Sequence, residues 1–308
     1  MPINRRLGRS GFLHICQKTA DNGILFYVIE DYLVFITLVS IRAVAHEVVV
    51  LAIDLMVNHL HIGAIFRNRR SASSFMNGTL SVFARLYNKQ HGLEGQRFKR
   101  PFRSAAKMSE KKIRDCLFYI WNNPVEKNAV KNAEEYRWNF LKYMDSDHPF
   151  SDPIIPSEAS DTLLKLVRKV KAKREEGEYL GYGFFNNAYK SLSKKERFQL
   201  IDYIIVTYNV IRNDLVLELF GSYQALVIAV NSVAGNEYDL RDDTDYEDYR
   251  HYIKMLGIVR SESLDLDSIC FGRPNADRDE QLLSRLLKRF RTEAGASDYE
   301  IAKFLHLL

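Results

Sequence analysis

The sequence predicts an α+β first half, one antiparallel sheet with its helices on one face, followed by an all-helical second half. Three observations lead there. In the first 125 residues, segments with strand-like and helix-like apolar spacing alternate. Beyond residue 161 only helical spacing recurs. Between the two lies "DSDHPFSDPIIPSEASD", Asp145 to Asp161, with three prolines and four aspartates, the composition of a boundary. The expected division is an α+β domain over 1–148, a linker over 149–161 and a helical domain over 162–308, and at 308 residues each part is long enough to bury a core.

Taken in order, "FLHICQKT" reads as a strand, and "DYLVFITLVSIRAVAHEV" is apolar all round, as a buried helix is. "VVVLAIDLMV" is a continuous apolar run suited to a central strand, and "HLHIGAIF" follows as its neighbour. After the basic loop "RNRR", the segment "SASSFMNGTLSVFARLYNKQHG" has serines for caps, Phe75, Leu80, Phe83, Leu86 and Tyr87 at helical spacing, and Gly92 as its stop. "RFKRPFRSAAK" is a basic, strand-like piece. "SEKKIRDCLFYIWNN" is a helix expected to end before Pro124, because proline disfavours helical geometry in the preceding residue. The order strand, helix, strand, strand, helix, strand, helix is that of a ferredoxin-like (RRM-like) α+β sandwich.

In the second half, Leu163, Val167 and Val170 share a helical face, and "SKKE", Ser193 to Glu196, is a capping box opening the helix "RFQLIDYIIVTYNVI". The acidic run "DLRDDTDYEDYRHY" lacks the glycine a calcium loop requires and reads as a solvated turn entering a helix. Near the end, "DEQLLSRLLKRFRTEAGA" and the capped "SDYEIAKFLHLL" form an expected helical pair; the latter resembles the opening helix of a helix-turn-helix, with no recognition helix before Leu308.

Charge is unevenly placed. Residues 1–150 hold 22 Lys and Arg against 13 Asp and Glu, whereas residues 151–308 hold 22 against 26. A basic first half suits a polyanion, with nucleic acid the common case, although a merely solvated basic surface has the same composition. Cys16, Cys116 and Cys270 have no metal-ligand spacing and read as free thiols of a reducing compartment. No leader-like apolar core follows the basic start, and the uncharged run Leu219 to Asn236 contains Gly221, Gln224, Asn231 and Gly235, so a cytoplasmic protein with no membrane partner is expected.

The chemistry-bearing residues begin with "NHLHI". In a strand His59 and His61 share a face, where two imidazoles can grip one metal ion or contact one phosphate; such a pair alone is equally an ordinary couple of buried histidines. Tyr119 and Asn123, four apart, share a helical face if the last turn persists, and Asn123 alternatively caps that helix before Pro124. "RFKRPFR" sets Arg97, Lys99, Arg100 and Arg103 for phosphates with Phe98 and Phe102 for stacking on bases, and Arg67, Arg69 and Arg70 offer a second basic loop. His14 and His91 read as structural histidines.

Together, "MVNHLHI", "RFKRPFRS" and "YIWNNPV" resemble the REP-associated tyrosine transposases, a branch of the single-tyrosine HUH transposases, over roughly residues 10–143. Met56, Asn58, His59 and His61 match one motif, with Val57 where the family usually has proline; Tyr119, Ile120, Asn123, Pro124 and Val125 match the other. The resemblance implies that Tyr119 is the nucleophile, that His59 and His61 hold a divalent ion, Mg²⁺ or Mn²⁺, with Asn123 as a further ligand, and that the substrate is single-stranded or hairpin DNA cleaved and rejoined through a 5′-phosphotyrosine. A decayed DNA-binding protein that keeps the fold without turnover is the alternative, favoured by Val57. An RNA-binding module lacks support, since no RNP-type aromatic pattern falls on the expected strands.

Overall fold

A computed structural model describes residues 11–20, 23–185, 187–232, 250–262, 264 and 280–305. The first ten residues, Cys270 and all but the last three residues of the acidic run 239–252 lie outside them.

The first half is the predicted α+β unit. Strand β1 (Phe12–Lys18), helix α1 (Ile29–Ala45), strands β2 (Val49–Leu55) and β3 (His59–Ile65), helix α2 (Arg69–His91), strand β4 (Arg103–Lys107) and helix α3 (Glu110–Glu126) follow in that order. The sheet has the order β2-β3-β1-β4, and every pairing is antiparallel. Helices α1 and α2 pack on one face, over Ile15, Ile53, Leu55, Leu60, Ile62 and Ala64. Helix α3 adds a layer on the opposite face, over Phe12, Leu51, Ala52 and Ile65, where a single helical layer was expected. The cause is legible in β3, which is buried at every position and so needs cover on both faces.

Two local features set the site. A bulge in β2 between Val50 and Ala52 resets the alternation: Val49 opposes Ile65, but beyond the bulge Ala52 opposes Gly63 and Asp54 opposes His61. The inserted residue turns Asp54 toward α3. At Gly63, a Cβ would lie 3.0 Å from Ile120 Cδ1, 3.1 Å from Phe12 Cζ and 3.3 Å from Leu117 Cδ2. Glycine there lets α3 settle closely on the sheet.

Helix boundaries differ from expectation at two places. The cap of α2 is Asn68, whose side-chain oxygen accepts from the Ser71 N–H at 2.9 Å, rather than a serine; Gly92, at φ 62°, is the predicted stop. Helix α3 does not end before Pro124 but runs through it to Glu126. Proline costs the turn its own N–H, yet the ladder resumes beyond it, with Lys127 N–H donating to Asn123 O and Ala129 N–H to Pro124 O. The basic segment is strand only from Arg103; Pro101 has no N–H for a ladder, and residues 97–102 form a loop whose Phe98 bridges to Thr19, just past the end of β1.

After three short turns, the helices are α4 (Asp161–Glu175), α5 (Asn187–Ser191), α6 (Lys194–Thr207), α7 (Asn213–Phe220), α8 (Tyr223–Ser232), α9 (Arg250–Ser261), α10 (Glu280–Arg289) and α11 (Asp298–Phe304). Residues of α4 and α6 join the core cluster that contains α1, which accounts for a helix apolar all round: the sheet covers one side and Leu180 to Ile205 the other. Asp202, fully buried on α6, accepts from Tyr143 Oη (2.6 Å), Phe150 N (3.0 Å), Ser151 Oγ (2.9 Å) and Arg137. Burial pushes the Tyr143 phenol far above its ordinary range, so it stays a donor to that carboxylate. Helices α7 and α8 back α3, with the Phe118 and Phe220 rings tilted against each other at 5.1 Å between centroids, and α9 to α11 gather Ile24, Tyr27, Met56 and Val57 into a separate cluster beside the β2–β3 turn.

Candidate active site

The two sequence motifs converge on the α3 face of the sheet. His59 and His61 lie two apart on β3, both buried, with ring centroids 5.1 Å apart. Asn58 Oδ1, an acceptor only, lies 2.7 Å from His59 Nδ1, so that nitrogen donates and Nε2 keeps its lone pair. Asn123 Nδ2 donates to His59 Nε2 (3.1 Å) and to Asp54 Oδ2 (2.9 Å). One amide thus links the histidine strand, the bulged strand and α3. The Tyr119 ring stands edge-on to His61 at 5.3 Å and to His14 at 5.6 Å between centroids. Because the last turn of α3 persists, Tyr119 and Asn123 occupy one face, the condition their spacing required.

His14 and Asp54 were not legible as site residues. His14, expected to be merely structural, lies with its Nε2 3.0 Å from His61 Nδ1. The available signal was alternation: on β1, Phe12, His14 and Cys16 share a face, and Cys16 opposes His61. No sequence signal announces the bulge that aims Asp54. The tyrosine's neighbours divide as helical geometry demands, Phe118 and Trp121 facing α7 while Tyr119 faces the sheet.

As donors for a cation, these residues form an incomplete set. Among the described residues no group of three or more His, Cys, Asp or Glu has metal-binding geometry. The Asn123 amide turns its nitrogen, not its oxygen, toward His59 and Asp54, and its Oδ1 is buried without a hydrogen bond. The site is also closed: Tyr119 is 5% exposed and His61 0%.

The predicted DNA contacts separate into three places. Arg103 opposes Cys16 on β4 and therefore lies on the tyrosine's face. Arg97, Lys99, Arg100 and Phe102 belong to the loop before β4 and line a cleft against α2. Phe98 is 5% exposed with its ring 6.3 Å from Phe83, so core packing takes the surface that stacking on a base would need. Arg67, Arg69 and Arg70 are exposed past the far end of β3, roughly 20 Å from His59 by strand rise.

No protein-family model matches the chain, and no curated protein matches it. A solved structure of a REP-associated tyrosine transposase bound to a REP hairpin is similar to it at 14% identity and a TM-score of 0.37, over 43% of this chain and 78% of that one.

Proposed function

We propose that this protein is a DNA-processing enzyme that cleaves and rejoins single-stranded DNA at hairpin-forming repeats through a 5′-phosphotyrosine on Tyr119. The observation that supports it best is the convergence of two motifs about sixty residues apart on one spot, with Tyr119 edge-on to His61 and Asn123 joining His59 to Asp54. In the reaction the phenol loses its proton, its oxygen bonds to phosphorus and the strand's 3′ oxygen leaves protonated. One phosphodiester replaces another, so the step is close to thermoneutral and reversible, which suits strand transfer.

The side chains that would hold a divalent ion, Mg²⁺ or Mn²⁺, are His59, His61 and Asn123, the last with its amide turned to present the oxygen that now has no partner. Such an ion would polarise the scissile phosphate and stabilise charge on its oxygens. Asp54 adds one negative charge beside two neutral imidazoles and a neutral amide, and the DNA phosphate supplies the rest, so ion and DNA binding reinforce each other. His14 orients His61: with His61 Nδ1–H donating to His14 Nε2, the other His61 nitrogen is left as the ligand atom.

The closure of the site favours a second reading, a DNA-binding protein that retains the fold without turnover. Incubation with labelled hairpin-bearing single-stranded DNA and Mg²⁺ or Mn²⁺ separates the two. The enzyme reading expects a denaturation-resistant protein–DNA adduct that disappears in EDTA; binding with no adduct under any ion supports the second reading.

A further inference from the structure

On the other face of the sheet, helix α2 and the loop 95–102 enclose a cleft of about 1180 Å³. Among the described residues its lining includes Arg42, Arg85, Arg97, Lys99 and Arg100 and no Asp or Glu. Four arginines gathered along one cleft suit an anion. Two amides of the lining each keep a buried oxygen without a hydrogen bond. Gln17, 1% exposed, is pinned by its amide nitrogen, which donates to Lys18 O and Lys99 O, both at 2.8 Å, while its Oε1 has no partner. Asn88 is held in the same way, Nδ2 donating to Gly95 O at 2.9 Å, with Oδ1 unpartnered. Buried acceptors left unpaired are costly, and phosphate, having no donors when ionised, cannot satisfy them. A ligand carrying both anionic groups and N–H donors fits the whole lining, and nucleotides have that chemistry.

The geometry points to a second nucleic-acid site: we propose that this cleft binds a short unpaired stretch of DNA, phosphates on its arginines and lysine, base edges on its amides. With their nitrogens held by the backbone, the two amides offer oxygens, which accept from the amino and imino N–H groups on the edges of unpaired bases. Gly78 shapes the floor, since a Cβ there would lie 2.6 Å from Arg42 Cζ; its absence lets the guanidinium lie across the helix. Gln17 and Cys16 are consecutive on β1 and so face opposite sides of the sheet. A strand held in the cleft therefore reaches the tyrosine's face around edge strand β4, with Arg103 on the far side. The choice of DNA rests on the proposed function; the existence of the cleft site does not.

The test measures fluorescence anisotropy of a labelled, mixed-sequence single-stranded DNA on the Tyr119→Phe protein, which cannot trap DNA covalently. Ser81→Glu introduces a carboxylate from an exposed position of α2 that lines the cleft, and Arg85→Glu does the same from a second exposed position. Each is expected to weaken binding at least tenfold with unchanged melting, and single-stranded DNA should compete better than heparin at equal charge. Unchanged affinity in both variants overturns the site, and heparin competing equally well overturns base reading. Loss of binding in these variants without any adduct in the parent would reject the proposed reaction while leaving the cleft standing; an adduct with cleft variants that bind normally would do the reverse.

Discussion

His14 is the residue whose part the sequence concealed, because a lone histidine in an apolar strand is ordinarily a packed, satisfied side chain. Its position beside His61 and Tyr119 depends on which strand neighbours β3, a long-range fact. If it orients His61, His14→Phe should lower adduct formation about ten- to a hundredfold, the usual effect of removing a ligand's hydrogen-bond partner. His14→Gln, whose amide oxygen can accept from His61 Nδ1–H in place of Nε2, should restore most of it. Phe and Gln variants of equal activity and equal melting temperature would assign His14 to packing alone. That His59 shares a face with His61, and Tyr119 with Asn123, was legible because each pair needs only local periodicity; that the two pairs belong to one site came from the resemblance of the motifs. Asp54 was not, because a bulge decides its direction.

Among the elements, α3 carries the site, and its height above the sheet is set at Gly63. Gly63→Ala should destabilise the fold by about 1–3 kcal/mol, as overpacking does, and reduce adduct yield beyond what the lost folded fraction explains, since Tyr119 moves with the helix. A normal adduct yield per folded molecule would show that the close approach serves stability only. The order of strands and helices along the chain followed from alternating periodicities, whereas the cover on the second face did not, for α7 and α8 reach α3 from far along the chain. Glu196 joins two helix starts: its carboxylate accepts from Ser193 N at 3.1 Å within the predicted capping box and from Ser160 N at 3.1 Å at the cap of α4. The hydrogen bond to Ser160, then that to Ser193, lowers its pKa from 4.5 to about 2. A depressed folded-state pKa gives stability that is complete above the ordinary value and lost as pH falls toward about 2. Glu196→Gln should therefore flatten the stability profile across that acid window; a profile parallel to the parent's would remove the linkage.

At the scale of the molecule, the uneven charge has a structural counterpart: the basic loop 97–102 and Arg103 at the start of β4 offer cations to both faces of the sheet, while the helices of the second half buttress α1 and α3. That support was half visible in a helix apolar all round, which demands a cover the first half does not contain. The partner surfaces themselves were not legible, because they lie far away in sequence. The central claim is that Tyr119 becomes joined to DNA, and peptide mapping of the adduct tests it most directly. After nuclease treatment and trypsin, the account predicts nucleotide mass on the peptide Asp115–Lys127, whose one tyrosine is Tyr119. Nucleotide mass on any other peptide, or an adduct that persists in Tyr119→Phe, would contradict it.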